Sequence, residues 1–109
     1  LARRATRAAP RTGACFDTLS RTLVAVGGVD GALVAGERAA TLSPRDVEIG
    51  MHLARVTYLL GRLDDSRGHL ARIRAVAAED GNAAALVRID AELARLDDLQ
   101  RGPSETPPR

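Results

Sequence analysis

Apolar residues recur every three or four positions along most of this chain, which is the spacing of one face of an amphipathic helix. One such run joins Phe16, Leu19 and Leu23, and the last run includes Leu86 and Ile89. No segment shows the strict alternation that is typical of a strand. The pattern predicts an all-α protein with five helices, at about 15–26, 31–42, 44–60, 65–79 and 82–100.

The chain also repeats itself with a period of 34 residues. A shift by 34 superimposes four identical pairs, which are Leu19 and Leu53, Arg21 and Arg55, Gly27 and Gly61, and Asp30 and Asp64. It also superimposes three pairs of similar size or polarity, which are Val29 and Leu63, Ala32 and Ser66, and Leu42 and Val76. Because periodic self-similarity is typical of stacked helical units, these matches predict two helical hairpins in tandem.

Polar residues and glycines mark the ends of the predicted helices. Ser43 is the expected N-cap of the third helix, with Pro44 at its first position. Asp30 and Asp64 are the expected N-caps of the second helix in each hairpin. Gly61 is expected to end the third helix, since glycine adopts the left-handed conformation without steric cost.

These residues together resemble the tetratricopeptide repeat, a 34-residue unit of two antiparallel helices. The first unit carries the resemblance at Leu19, Ser20, Leu23, Ala32, Ala39 and Pro44, and the second at Leu53, Ala54, Thr57, Gly61, Leu63, Ser66, Leu70 and Ile73. The stretch 58–67 is similar to repeats of bacterial scaffold and regulator proteins. The resemblance implies an α-solenoid fragment with repeats at 13–46 and 47–80 and a capping helix at 81–100. Composition predicts a basic disordered arm at 1–12 and a proline-rich disordered tail at 101–109.

Some positions depart from the family pattern. The bulky residue near the start of the second unit is replaced by Gly50, and the one late in the first unit by Gly36. The first hairpin is therefore expected to pack thinly. Since about three repeats are usually needed for an independent solenoid, the chain is expected to be a fragment, a homodimer or a subunit docked on a larger assembly.

The resemblance implies that the first helix of each hairpin lines a concave surface that binds a peptide or helix of another protein. The residues it assigns to this partner-binding surface are Asp17, Arg21, Val24, Met51, His52, Arg55, Tyr58 and Leu59. Arg21 and Arg55 occupy the same repeat position and would favour an acidic segment. Solvated surface arginines are the alternative interpretation of this pair.

All 16 basic residues are arginine, which we attribute to a high-GC coding sequence. Four of them and none of the 14 acids lie in Leu1–Thr12, so the rest of the chain is slightly acidic. This arm supports an alternative function, an RNA-associated assembly subunit, although no aromatic residue accompanies the arginines. The expected location is cytoplasmic, with a periplasmic or organellar location after removal of a targeting segment as the alternative.

Candidate catalytic and metal-binding chemistry is sparse. Cys15 is the only cysteine, and no nucleophile motif surrounds it. His52 and His69 are not spaced as a metal-binding pair on one helix. The glycine-rich stretch 27–31 lacks the Lys and Ser or Thr of a phosphate-binding loop. We therefore expect a non-enzymatic module with no cofactor and no metal, and with no membrane span because no apolar run approaches the required length.

Overall fold

The computed structural model describes the backbone of residues 2–101 and the side chains of residues 13–101. Within that part it contains five α-helices and no strand: α1 (Ala2–Ala25), α2 (Val29–Leu42), α3 (Val47–Leu59), α4 (Leu63–Glu79) and α5 (Ala83–Arg101). Each helix packs against the next one along the chain. Two antiparallel hairpins, α1–α2 and α3–α4, are thus followed by the single helix α5, and the predicted all-α repeat architecture is confirmed.

Three glycines with positive φ end α1, α3 and α4, at Gly27 (89°), Gly61 (79°) and Gly81 (66°). At the end of α3, the Gly61 amide donates to the Tyr58 carbonyl at 2.9 Å and the Arg62 amide donates to the Thr57 carbonyl at 2.9 Å. This pair of bonds satisfies carbonyls that the helix leaves without partners, and it requires a left-handed residue at the glycine position. The glycine end predicted for α3 is confirmed.

The predicted helix starts are partly wrong. The N-cap of α3 is Asp46, whose side chain accepts a hydrogen bond from the Ile49 amide at 3.1 Å. Ser43 instead begins a turn that the Asp46 amide closes by donating to the Ser43 carbonyl at 3.1 Å, with Pro44 at the second turn position that proline favours. Ser43 and Asp46 could both have capped the helix. Because the turn at 43–46 delays the helix start, Asp46 is the cap.

Asp30 and Asp64 are also not N-caps, because Gly28 precedes α2 and Arg62 precedes α4. Both aspartates lie in the first turn of their helices instead. Their negative charges are favourable there, because the first turn carries the positive end of the helix dipole.

A serine and an alanine meet at the crossing of the two helices in each hairpin. In the first hairpin, the Ser20 hydroxyl of α1 donates to the Ala32 carbonyl of α2 at 2.7 Å. In the second hairpin the roles are exchanged, since the Ser66 hydroxyl of α4 donates to the Ala54 carbonyl of α3 at 2.8 Å. Small side chains let the helix axes approach, and the buried serine hydroxyl finds a hydrogen-bond acceptor at the crossing. All four residues are among those that carry the resemblance to the tetratricopeptide repeat.

An apolar cluster lies between α3, α4 and α5. Its buried members are Ala54, Leu70, Ile73, Ala77, Ala85, Ile89 and Leu96. In α2 the buried side is formed only by Ala32, Ala35, Gly36 and Ala39. The first hairpin is therefore packed with small residues, as the sequence predicted.

Gly50, a departure from the family pattern, lies against the fully buried Ile73. A β-carbon at this glycine would lie only 2.8 Å from Ile73 Cγ1. The bulk that the family usually places on α3 thus comes from α4, and α3 provides the space for it.

The N-terminal part of α1 differs from the expectation. The helix begins at Ala2, so the backbone of residues 2–12 is helical where a disordered arm was predicted. Leu19 belongs to the apolar run that predicts a buried face of this helix, yet it is 46% exposed. Its repeat counterpart Leu53 is buried and lies against α2 at Gly36, whereas α1 has no preceding helix among the described residues. The arm's side chains and residues 102–109 of the expected tail lie outside the described part of the chain, and only Arg101 of that tail belongs to α5.

Candidate functional site

The first helices of successive units present equivalent positions to one surface. The 34-residue period relates α1 to α3. The relation of α3 to α5 follows from their caps, because the Asn82 side chain accepts from the Ala85 amide at 3.1 Å just as that of Asp46 accepts from Ile49. These cap pairs set a spacing of 36 residues between α3 and α5. Three rows of equivalent residues result: Asp17, Met51 and Val87; Arg21, Arg55 and Ala91; Val24, Tyr58 and Ala94.

Arg21 is held by its neighbours. Its Nε donates to Asp17 Oδ2 at 2.8 Å, one turn earlier on α1, and its Nη2 donates to the Glu48 carbonyl of α3 at 3.4 Å. The other oxygen of Asp17, Oδ1, is buried and has no hydrogen-bond partner among the described residues. Arg21 therefore links the first two units, and its guanidinium is already engaged within the chain.

The side chain of Glu48 on α3 forms an ion pair with Arg88 of α5. Both its carboxylate oxygens accept from Arg88, at 2.6 and 3.2 Å. Because hydrogen bonds from Arg88 stabilise the ionised form, the pKa of the Glu48 carboxyl is lowered. A hydrogen bond from Arg21 to the Glu48 carbonyl thus connects α1 to α3, and the ion pair between Glu48 and Arg88 connects α3 to α5.

His52 does not lie on the surface. It is only 7% exposed, and its Nε2 lies 2.8 Å from the Ser20 hydroxyl oxygen. Burial is the largest cause of a lowered pKa for this ring, and Arg21 and Arg55 lower it further, while Asp17 acts in the opposite direction. The ring is neutral near pH 7 and joins the two hairpins. The sequence predicted that His52 faces a partner, but its buried ring is not available to one.

A groove runs between α3 and α5, and it contains a cavity of about 50 Å³. One wall carries Met51, Arg55 and Tyr58 of α3, the other carries Glu92, Arg95 and Leu96 of α5, and the base is formed by Ala54, Ser66 and Leu70. The groove thus has an apolar floor and charged edges. This combination suits the side chains of a bound protein segment.

The two arginines of the groove differ in their partners. Arg95 pairs with Glu92 of its own helix at 3.5 Å. Arg55 makes no hydrogen bond or ion pair with any described residue, so its charge is available at the groove edge. Tyr58, one turn further along α3, is 38% exposed and contributes part of its ring to the groove.

The predicted site residues therefore separate into groups. Met51, Arg55 and Tyr58 come together in the groove, and Leu59 is exposed beside Tyr58. Asp17, Arg21 and the half-buried Val24 lie on α1, away from the groove. Among residues 13–101, no three His, Cys, Asp or Glu side chains form a group that could hold a metal ion.

Sequence reasoning missed the wall that α5 provides, at Glu92, Arg95 and Leu96. The signal was present, since Gly81 followed by Asn82 is a helix end and an N-cap, as Asp46 is for α3. The 34-residue period did not reveal this wall. The helix α4 extends to Glu79 and is longer than α2, so the residues of α5 do not align with those of α3 at a spacing of 34.

Two hairpins and a further helix stacked in series, with a groove between α3 and α5, define a helical-repeat protein of the α-solenoid class. A family model described as "Tetratricopeptide repeat" matches residues 23–89, which is more than half of the chain. The chain therefore belongs to the tetratricopeptide repeat family. Members of this family are typically non-catalytic scaffolds for protein–protein interaction.

A solved structure supports the fold. The crystal structure of PcrH in complex with the chaperone binding region of PopD matches with a TM-score of 0.72 at 22% sequence identity, covering 81% of this chain and 67% of that chain. At this identity the likeness is one of fold. No curated protein matches the chain. None of the helices in residues 2–101 has the length and apolar character needed to cross a membrane.

Proposed function

We propose that this chain is a protein-binding module whose α3–α5 groove holds a segment of a partner protein. The observation that carries the proposal is the groove itself, with an apolar floor, a partly exposed tyrosine and an arginine that has no partner within residues 13–101. The complex of PcrH with a region of PopD supports it by analogy, since a protein of the same fold binds a segment of another protein.

The chemistry of the groove specifies the segment. A large apolar side chain of the segment would lie over Leu70 at the base, between Met51 and Leu96 of the two walls, and full burial of such a side chain is worth about 1.5–3 kcal/mol. A carboxylate next to it in the segment would pair with Arg55, whose planar guanidinium suits a bidentate contact. The preferred segment therefore carries an acidic residue close to a bulky apolar residue.

Arg55, and not Arg21, is the arginine that selects this acid. Arg21 already binds Asp17 and the Glu48 carbonyl, so a partner would have to replace these contacts. The pair predicted from the repeat period thus divides into one arginine that connects units and one that faces the partner.

Selection from a peptide library displayed on phage tests the proposal, followed by affinity measurements on the best peptides. We expect enriched peptides to combine Asp or Glu with a nearby Leu, Ile, Met or Phe. Arg55→Glu should weaken them about tenfold or more, because it places like charges together. Arg72→Glu is the matched control, since Arg72 lies on α4 outside the groove and contacts the Pro44 carbonyl at 3.2 Å.

Two results would contradict the proposal. Peptides without acidic residues could dominate the selection, or both charge reversals could leave the affinity equal to that of the parent. Tyr58→Ala offers an independent check of the apolar part, because the ring is partly exposed and its removal should affect binding more than folding.

A further inference from the structure

The buried contact around His52 joins three helices at the boundary between the two hairpins. Ser20 of α1 donates its only hydroxyl proton to the Ala32 carbonyl of α2 at 2.7 Å. The 2.8 Å contact between the Ser20 oxygen and His52 Nε2 must then use a proton of the ring. The neutral ring of His52 in α3 is therefore the tautomer with its proton on Nε2.

A second proton on this ring would go to Nδ1 and create a buried cation. The charged groups that act on the ring are Arg21 and Asp17 of α1 and Arg55 of α3 itself. The group of α2 that takes part in this contact is the Ala32 carbonyl, which accepts the hydrogen bond from Ser20. Asp17 would favour the cation, but its Oδ2 is already bound by Arg21, and burial together with two arginines opposes the charge. Both causes lower the ring's pKa.

The contacts around this ring leave the first hairpin easy to displace. Its buried surface on α2 consists of alanines and Gly36, and it adjoins α3 at Ser20 and Leu53. Because the side chains that α2 contributes to this boundary are small, they bury less apolar area than the leucines and isoleucines of the cluster between α3, α4 and α5. A charge introduced at this boundary should separate the hairpins before it unfolds the second one.

We propose that His52 is a pH-sensitive latch, which holds α1 and α2 against α3 while its ring is neutral and releases them when the ring takes up a proton. Release hydrates the imidazolium and removes it from Arg21 of α1. The second hairpin and α5 stay folded, because their cluster does not include the ring.

Hydrogen exchange of the 109-residue chain tests the latch, with rates corrected for the intrinsic pH dependence of exchange. Between about pH 7 and pH 5, amides of α1 and α2 should lose protection by up to tenfold per pH unit, while those of α4 and α5 change less. His52→Gln should abolish this difference, since an amide can still donate to Ser20 but does not titrate. His69→Gln is the matched control and should keep it.

The latch is wrong if His52→Gln opens with pH as the parent does, or if all helices lose protection together. Should this variant fail to fold, the ring of His52 can be titrated by NMR in the parent chain. A pKa at or above that of a free histidine would then overturn the proposal. Arg21→Gln adds a directional test, because removing this cation should raise the pKa of His52 and reduce the pH dependence of opening.

Discussion

The contact between Gly50 and Ile73 gives a sharp test of how α3 and α4 pack. An alanine at position 50 would place its Cβ 2.8 Å from Ile73 Cγ1, 2.9 Å from Cδ1 and 3.0 Å from Cβ. Non-bonded carbons prefer about 3.5–4.0 Å. Ile73 is fully buried and close contacts reach its β-carbon, so rotation of the far end of the side chain cannot relieve them.

Two opposing effects determine the stability of Gly50→Ala. Replacing a mid-helix glycine by alanine stabilises a helix by about 1 kcal/mol, whereas overpacking a buried site costs about 1–3 kcal/mol. The net effect is a loss of up to about 2 kcal/mol. Gly68→Ala is the control for the first effect, because a Cβ at this position of α4 would meet no other part of the described chain within 4 Å. It should gain about 0.5–1 kcal/mol.

Urea unfolding followed by circular dichroism measures both variants. We expect Gly68→Ala to unfold at higher urea than the parent and Gly50→Ala at lower urea, with a difference of about 1–3 kcal/mol between them. Ile73→Val removes one of the close carbons, so Gly50→Ala should cost less in that background. Equal stabilisation by both alanines would refute the close packing of α3 on α4 at this point.

Three further predictions concern stability. The pKa values of His52 and His69 are lowered, chiefly by burial, so their contribution to stability is fully present above about pH 6.5. Below that pH the free energy of unfolding should fall by at most about 1.4 kcal/mol per pH unit for each histidine, which thermal unfolding from pH 7 to 5 will measure. Ala32→Leu should destabilise by about 1–3 kcal/mol, because Ala32 is fully buried at the crossing with Ser20, and an unchanged melting temperature would count against this crossing. Arg74→Ala, which removes an exposed pair with Asp90, should change the free energy of unfolding by less than about 1 kcal/mol, and a larger loss would contradict the minor role of surface ion pairs here.

The sequence was sufficient to predict the hairpins because local signals and the repeat agreed. Gly61 ends α3 by its own conformational freedom, and the small pairs Ser20 with Ala32 and Ala54 with Ser66 follow from one period. The agreement of turn residues, helix spacing and periodicity is what makes such a fold predictable from sequence.

The candidate site was less predictable, because it depends on contacts between units. His52 occupies a repeat position expected to face a partner, yet the hydroxyl of Ser20 draws its ring into the boundary between hairpins. Leu19 has the same identity as Leu53, but only Leu53 has a helix on its outer side in the described structure. Prediction of the groove required the position of α5 in the repeat. Because α4 is longer than α2, α5 does not follow the 34-residue period.

Binding of a partner segment in the groove between α3 and α5 can be observed residue by residue. Backbone NMR of the labelled chain, titrated with a selected peptide, is the experiment. We expect the largest shift changes at Arg55, Tyr58 and Arg95, with little change at Val34, an exposed valine of α2 outside the groove. Changes centred on α2, with Arg55 and Tyr58 unaffected, would show that the partner binds elsewhere and that the groove is not the site.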